Sequence, residues 1–271
     1  MSRHLAFASL SLAVLASGCG ASESKSPALE ACTDCKVTPP GTMIGGGGSG
    51  GAGGASGAGG ASGTGGAGGQ ATAVSLTGAV NAISTADLIM SGPYAGAVVI
   101  GAKALDGTET TAKATTTYLL PDVASGPQWI STKPVAVDAL GTLAFATIPQ
   151  KDAQLDVLVI RTEALTTVLA TLPKPTVLTP QAAHAIVFFR SPDGLALAAT
   201  KLTPSFTAEV GHDEGPGFGG VETHGRGIAV LFNAKPASAA MATIEHAGSK
   251  AAVSLPLASD QVTMVTITLQ P

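Results

Sequence analysis

From Gln70 onward, apolar and polar residues alternate with a period of two. Leu155, Val157 and Val159 flank Asp156; Val253, Leu255 and Leu257 form a second series; Thr263, Val265, Ile267 and Leu269 form a third. Successive side chains of a strand point to opposite faces, so this pattern predicts half-buried antiparallel strands joined by frequent turns. No amphipathic pattern of ten or more residues competes with it. The expectation is an all-β head packed as sandwiches.

Before Gln70 the chain reads differently. A basic start at Arg3 and His4 leads into a short apolar run, Leu5 to Ala16, and then to Ala16-Ser17-Gly18-Cys19. A bilayer core needs roughly 20 apolar residues, so the run is too short to span and reads as an export leader, residues 1–18. The segment resembles the lipobox of bacterial lipoproteins, although Ala16 stands where leucine is the commonest choice. That resemblance implies a diacylglycerol on Cys19, membrane association through it and, with Gly20 rather than Asp behind the cysteine, the outer membrane. The alternative is an ordinary secretory signal, with Cys19 a free thiol or cut away.

The chain has three cysteines, an odd number that suits an exported protein badly. Lipidation of Cys19 would leave Cys32 and Cys35 as a small local disulfide or an idle pair. A redox Cys-x-x-Cys would require a surrounding βαβ unit, and a zinc site two further soft ligands.

From Gly45 to Gly69 only Gly, Ala, Ser and Thr occur, and 16 of these residues are Gly. Such a tract buries too little to offset its ordering entropy, so residues 19–71 are expected to be a disordered tether. A flexible chain of that length reaches about 40 Å. The Gly47-Gly48-Ser49-Gly50-Gly51 match to a nucleophile motif lacks the strand-to-helix turn it would need.

A shift of 87 residues places Val98-Val99-Ile100 on Ala185-Ile186-Val187 and Asp106-Gly107 on Asp193-Gly194. The same shift places Phe145 on Phe232 and Pro149 on Pro236. The common offset predicts a duplication, with modules at 72–172 and 173–271. Gly78-Ala79-Val80, Ala95-Gly96-Ala97-Val98, the stretch Val137 to Phe145 and Ile148-Pro149 resemble the carboxypeptidase regulatory-like family. This resemblance implies two tandem transthyretin-like antiparallel sandwiches, of the kind that myxobacterial-type surface lipoproteins carry on Gly-rich tethers. It implies no catalysis. The second copy is looser, with Thr223 to Gly227 where the Asp-to-Gly turn should stand.

Formal net charge is −4 and no basic cluster occurs, which excludes a nucleic-acid grip built on phosphate neutralisation. No His-x-x-Glu is present, and no cofactor is expected. The densest polar cluster is His212-Asp213-Glu214 followed by His224. A metal-assisted hydrolase would have to be built from His212, Asp213 and His224, and the competing expectation is a solvated loop. Trp129, the single tryptophan, is placed in a loop between Pro121 and Pro134. With Tyr118 it is the candidate stacking platform for a glycan, or else a plug in the end of the sandwich. The partners expected are therefore the membrane, through Cys19, and a glycan or envelope protein.

Overall fold

The computed structural model describes residues 72–270, so the leader, the three cysteines and the Gly-rich tract lie outside the described residues. The head begins with β1 (Ala73–Ile83), β2 (Ser91–Pro93), β3 (Val98–Ala104), β4 (Glu109–Ala114) and β5 (Thr117–Ala124). Next come β6 (Gly126–Pro134), β7 (Ala139–Ile148), β8 (Ala153–Gln154) and β9 (Val157–Arg161). One helix among the described residues, α1 (Thr162–Ala170), separates these from β10 (Ala183–Arg190), β11 (Thr200–Pro204), β12 (Glu209–Glu214) and β13 (Gly217–Gly220). The chain finishes with β14 (Ile228–Ala234), β15 (Ala237–His246), β16 (Ser249–Leu257) and β17 (Gln261–Thr268). No helix among them is long and apolar enough to cross a membrane.

The fold is the all-β sandwich expected. One core draws on Val74 to Val159 and includes Leu76, Ile100, Leu120 and Val159. A second draws on Ala183 to Val265 and includes Phe189, Leu231, Ile244 and Leu255. In each lobe the first strand lies parallel to the last: β1 beside β9, with Val80 opposite Val157, and β10 beside β17, with His184 opposite Val262.

The shift that relates these closures takes Val80 to His184, whereas the 87-residue shift lays β3 on β10. Those two strands hold different places. β3 lies antiparallel between β4 and β6, and β10 lies between β14 and β17. What the shorter shift matched was turn chemistry: Gly107 and Gly194 both take positive φ, 94° and 84°, as Asp-Gly turns require.

A third core sits between the lobes. α1 buries Ala164, Leu165, Val168 and Leu169, a helical spacing of one face, against Ile186, Val230, Phe232, Val262 and Met264. The central strands of the second lobe are therefore covered on both faces, by β11, β15 and β16 on one side and by α1 on the other. Along β14 the alternation is explicit, with Ala229 and Leu231 in one core and Ile228, Val230 and Phe232 in the other. Burying both faces turns a period-two strand into a continuous apolar run.

The lobes also share a sheet. Gly141 on β7 pairs with Val159 of β9 and with Gln261 of β17, which must therefore occupy opposite edges of β7. A buried polar knot fixes this fork. The Thr132 and Thr142 hydroxyls both donate to the Leu158 carbonyl (2.8 and 2.7 Å), the Thr142 N–H donates to the Thr132 Oγ1 (2.7 Å), and the Gln261 amide donates to the Thr132 carbonyl (3.1 Å).

The outer strand edges are blunted. β5 carries Pro121 and the left-handed Asp122, β16 carries Pro256, β11 ends at Pro204, and β4 exposes Glu109 and Lys113. Such features oppose the addition of further strands.

Candidate functional site

The cluster singled out in the sequence is neither a metal centre nor a solvated loop. His212 and Asp213 lie buried on β12. The His212 Nε2 accepts the Leu202 N–H at 2.9 Å, which leaves the ring hydrogen on Nδ1, facing the Gly220 carbonyl at 3.3 Å. Both Asp213 oxygens are taken by main-chain donors, Oδ2 by the Arg226 N–H and Oδ1 by the Ile228 N–H, each at 2.8 Å. His224 is exposed, and only its backbone reaches Asp213. Adjacent residues on a strand point to opposite faces, so His212 and Asp213 cannot converge on one ion. Among the described residues no group of three or more His, Cys, Asp or Glu side chains could hold a metal.

What this cluster does is staple the 217–228 segment. The Arg226 guanidinium lies over the Phe218 ring at 4.7 Å and donates to the Gly217 carbonyl at 2.7 Å. It also reaches the Asp87 carbonyl of the first lobe at 3.4 Å. Its Nε stands 3.8 Å from Asp213 Oδ2, beyond hydrogen-bond range, and has no partner. A comparable brace joins Tyr94, Asp138 and Arg161 in the first lobe: the Tyr94 hydroxyl and the Arg161 guanidinium both bond the Asp138 carboxylate, and Arg161 lies over the Tyr94 ring.

The two aromatic candidates also part company. Residues 117–134 form β5 and β6 rather than a loop. Tyr118 is 6% exposed within the first core, and its hydroxyl donates to the Leu155 carbonyl. Trp129 is half-buried on β6, where its ring packs edge-on against Phe145 at 5.2 Å. They do not form a shared platform, because one ring is spent on the core.

A groove opens where the lobes meet. It measures about 530 Å³ and is bounded by residues 133–141 on one side and by Leu178, Thr179 and Pro180 on the other. His184, Ser259, Asp260 and Gln261 line its remaining wall. His184 is 1% exposed, tilted against Phe232, and its Nδ1 accepts the Asn233 N–H at 3.2 Å. The ring hydrogen therefore sits on Nε2, which has no hydrogen-bond partner among the described residues.

Burial pushes the His184 imidazole down to about 4, only partly opposed by Asp260, and burial lowers His212 as well. An unfolded histidine protonates near pH 6.5. Between pH 6.5 and about 4 the unfolded chain thus binds more protons than the folded one, and stability falls as pH drops through that window. For His184 alone the full loss is on the order of 3 kcal/mol. Urea midpoints measured from pH 7.5 to 4 are expected to decline accordingly, with a shallower decline in His184→Gln; a flat profile in the wild-type protein would contradict the buried neutral ring.

No protein-family model matches the chain, and no curated protein matches it. Among solved structures it is similar to the Bacillus anthracis TIE protein, at 10% identity and a TM-score of 0.23, over 73% of this chain and 34% of that one. It is similar to a streptococcal ancillary pilin at 10% identity and a TM-score of 0.23, over 73% of this chain and 69% of the pilin. A fimbrial protein from Bacteroides ovatus aligns at 8% identity and a TM-score of 0.23, over 74% of this chain and 50% of that one. The chain thus spans about a third of the TIE protein and half of the fimbrial protein. Scores this low establish neither a shared family nor a shared activity.

The groove escaped the sequence reading because its walls come from both lobes and from the segment between them. The one local signal was Lys133-Pro134-Val135-Ala136-Val137, an aliphatic stretch that no core absorbs.

Proposed function

We propose that this chain is a lipid-anchored protein of the outer membrane surface, tethered through Cys19, whose two β-sandwich modules bind or space envelope components without catalysis. The modules meet near residues 172–173. The carrying observation is that the densest cluster of titratable side chains in the head, His212 and Asp213, is committed to main-chain hydrogen bonds. Catalytic acids and bases need a free face toward substrate, and these have none. The leader ending at Cys19 and the Gly-rich tract supply support for the anchor and the tether. Blunted strand edges suit a head that stands singly and does not zip edge to edge.

The anchor is tested by Cys19→Ser. The variant is expected to leave the membrane fraction and lose incorporation of labelled palmitate, while its head keeps the wild-type melting temperature. A variant that remains membrane-bound would overturn the anchor. Retention of purified envelope glycans or proteins by the full chain tests the binding role.

A further inference from the structure

We propose that the outer face of β3, β4 and β6 is a binding site for an acidic polysaccharide, one whose sugar rings carry carboxylates as well as hydroxyls. Alternate residues of these strands fill the first core: Ile100 and Ala102 from β3, Ala114 from β4 and Ile130 from β6. The residues between them point outward. Cross-strand pairs share a face, so the register sets Glu109, Lys103 and Trp129 in one row. Four residues along each strand it sets Lys113, Val99 and Lys133 in another.

The fold gathers here a charge that the sequence scatters. Three lysines from three strands meet on one face of a chain whose formal net charge is −4, with Glu109 the one acid in the two rows. All four side chains are exposed, and none is in an ion pair among the described residues. Lys113 and Lys133 flank Val99, with Cα atoms about 10 Å apart, and Trp129 lies about 13 Å along β6 from Lys133. A ligand carboxylate between the two lysines offsets their mutual repulsion.

The remaining groups favour a sugar over other polyanions. Glu109 stands opposite Lys103 without pairing to it. Its Oε1 leans over Gly101, 3.1 Å from where a β-carbon would lie, and the Ser131 Oγ reaches the same point from β6, at 2.7 Å. A carboxylate acceptor and a hydroxyl thus face a notch that glycine leaves open, and such a pair takes hydroxyl groups. A polymer charged at every unit, such as a polyphosphate, would set an anion against Glu109. A polysaccharide bearing both groups gives hydroxyls to the notch and carboxylates to the lysines. Beside the notch Trp129 is half-buried, so part of its ring stays open, and neither it nor Phe145 belongs to any of the three apolar cores. The C–H face of a sugar ring packs on such a surface.

This inference deepens the reading of the head as a binding module and rests on it. The test titrates the full chain with a galacturonate oligosaccharide and reads tryptophan emission, which reports Trp129 alone because the chain has one tryptophan. A saturable change is expected, with affinity falling as salt is raised. The methyl-esterified oligosaccharide, which keeps its ring hydroxyls and loses its charges, is expected to bind about tenfold more weakly. Lys113→Gln combined with Lys133→Gln is expected to weaken binding of the acid about tenfold at an unchanged melting temperature, because both side chains are exposed. Lys235→Gln, exposed in the second lobe, is expected to bind as wild type does. No saturable change, an ester that binds as well as the acid, or a double variant that binds as well as wild type would each overturn the site. Tighter binding of inorganic polyphosphate or phosphatidylglycerol vesicles at the same lysines would overturn the sugar in favour of a phosphate ligand. A chain that retains envelope glycans or proteins equally with and without the two lysines fails only here, whereas one that retains none fails the binding role as well.

Discussion

Gly141→Ala is expected to cost on the order of 4 kcal/mol and to leave most of the protein insoluble at 37 °C. A β-carbon at that position would lie 1.8 Å from the Thr132 carbonyl oxygen and 3.3 Å from the Lys133 Cα. Both are main-chain atoms, so no side chain can swing aside to relieve the contact. The backbone would have to yield where β7 changes partner, from β9 to β17. Moving the Thr132 carbonyl also breaks the bond from Gln261, and the hydroxyl bonds to Leu158 follow. The loss therefore falls on both lobes together, and urea denaturation is expected to show one shifted transition. Gly92→Ala is the control: a β-carbon there would have no neighbour within 4 Å, and its midpoint is expected to stay within experimental error. A soluble Gly141→Ala with a wild-type midpoint would show that the fork is slack.

The second large effect is expected at Asp213. Truncation to Ala orphans the Arg226 and Ile228 N–H groups and removes the carboxylate beside the Arg226 guanidinium. An unsatisfied buried donor costs about 1–3 kcal/mol, and breaking a buried charge pair about 3–5 kcal/mol. These contributions overlap, so the whole is expected to reach about 4 kcal/mol, read as a shift in urea midpoint. Asp213→Asn keeps one carbonyl acceptor and is expected to lose roughly half as much. The neighbouring Glu214 is exposed, and Glu214→Ala is expected to change little. Equal losses at 213 and 214 would mean that the staple is not what holds this segment. A metal-ligand role at Asp213 predicts something else again: stability that responds to chelator, which the geometry gives no reason to expect.

Much of the strand pattern was legible because it is local. Val253, Leu255 and Leu257 alternate in the sequence and are buried along β16 as the alternation implies. Both Asp-Gly pairs make the turns their chemistry demands. What depends on a second cover left a different mark on the chain. Ala185 to Phe189 and Ile228 to Phe232 are unbroken apolar runs, the mark of strands buried on both faces. The covering helix is only nine residues, four of them Thr or Glu, so its apolar stripe is short. The parallel closures join residues far apart in sequence and leave no local trace. His212 and Asp213 looked like a loop because glycines surround them, yet those glycines admit the close approach of β12 and β13, and the polar side chains serve that packing. Tyr118 illustrates the same point from the core side, since a tyrosine with a buried carbonyl to bond is as much at home inside as outside.

The arrangement of β1 has a mechanical consequence. The chain enters the head at Ala73 and runs directly into a strand held by β5 and β2 in antiparallel register and by β8 and β9 in parallel register. Tension applied at that end, as drag on a tethered head would apply it, acts along the strand axis. The hydrogen bonds on both sides of β1 then bear the load in shear and must rupture together, instead of opening one after another like a zip. A head entered through a hairpin at its rim would peel; one entered through its central strand resists flow.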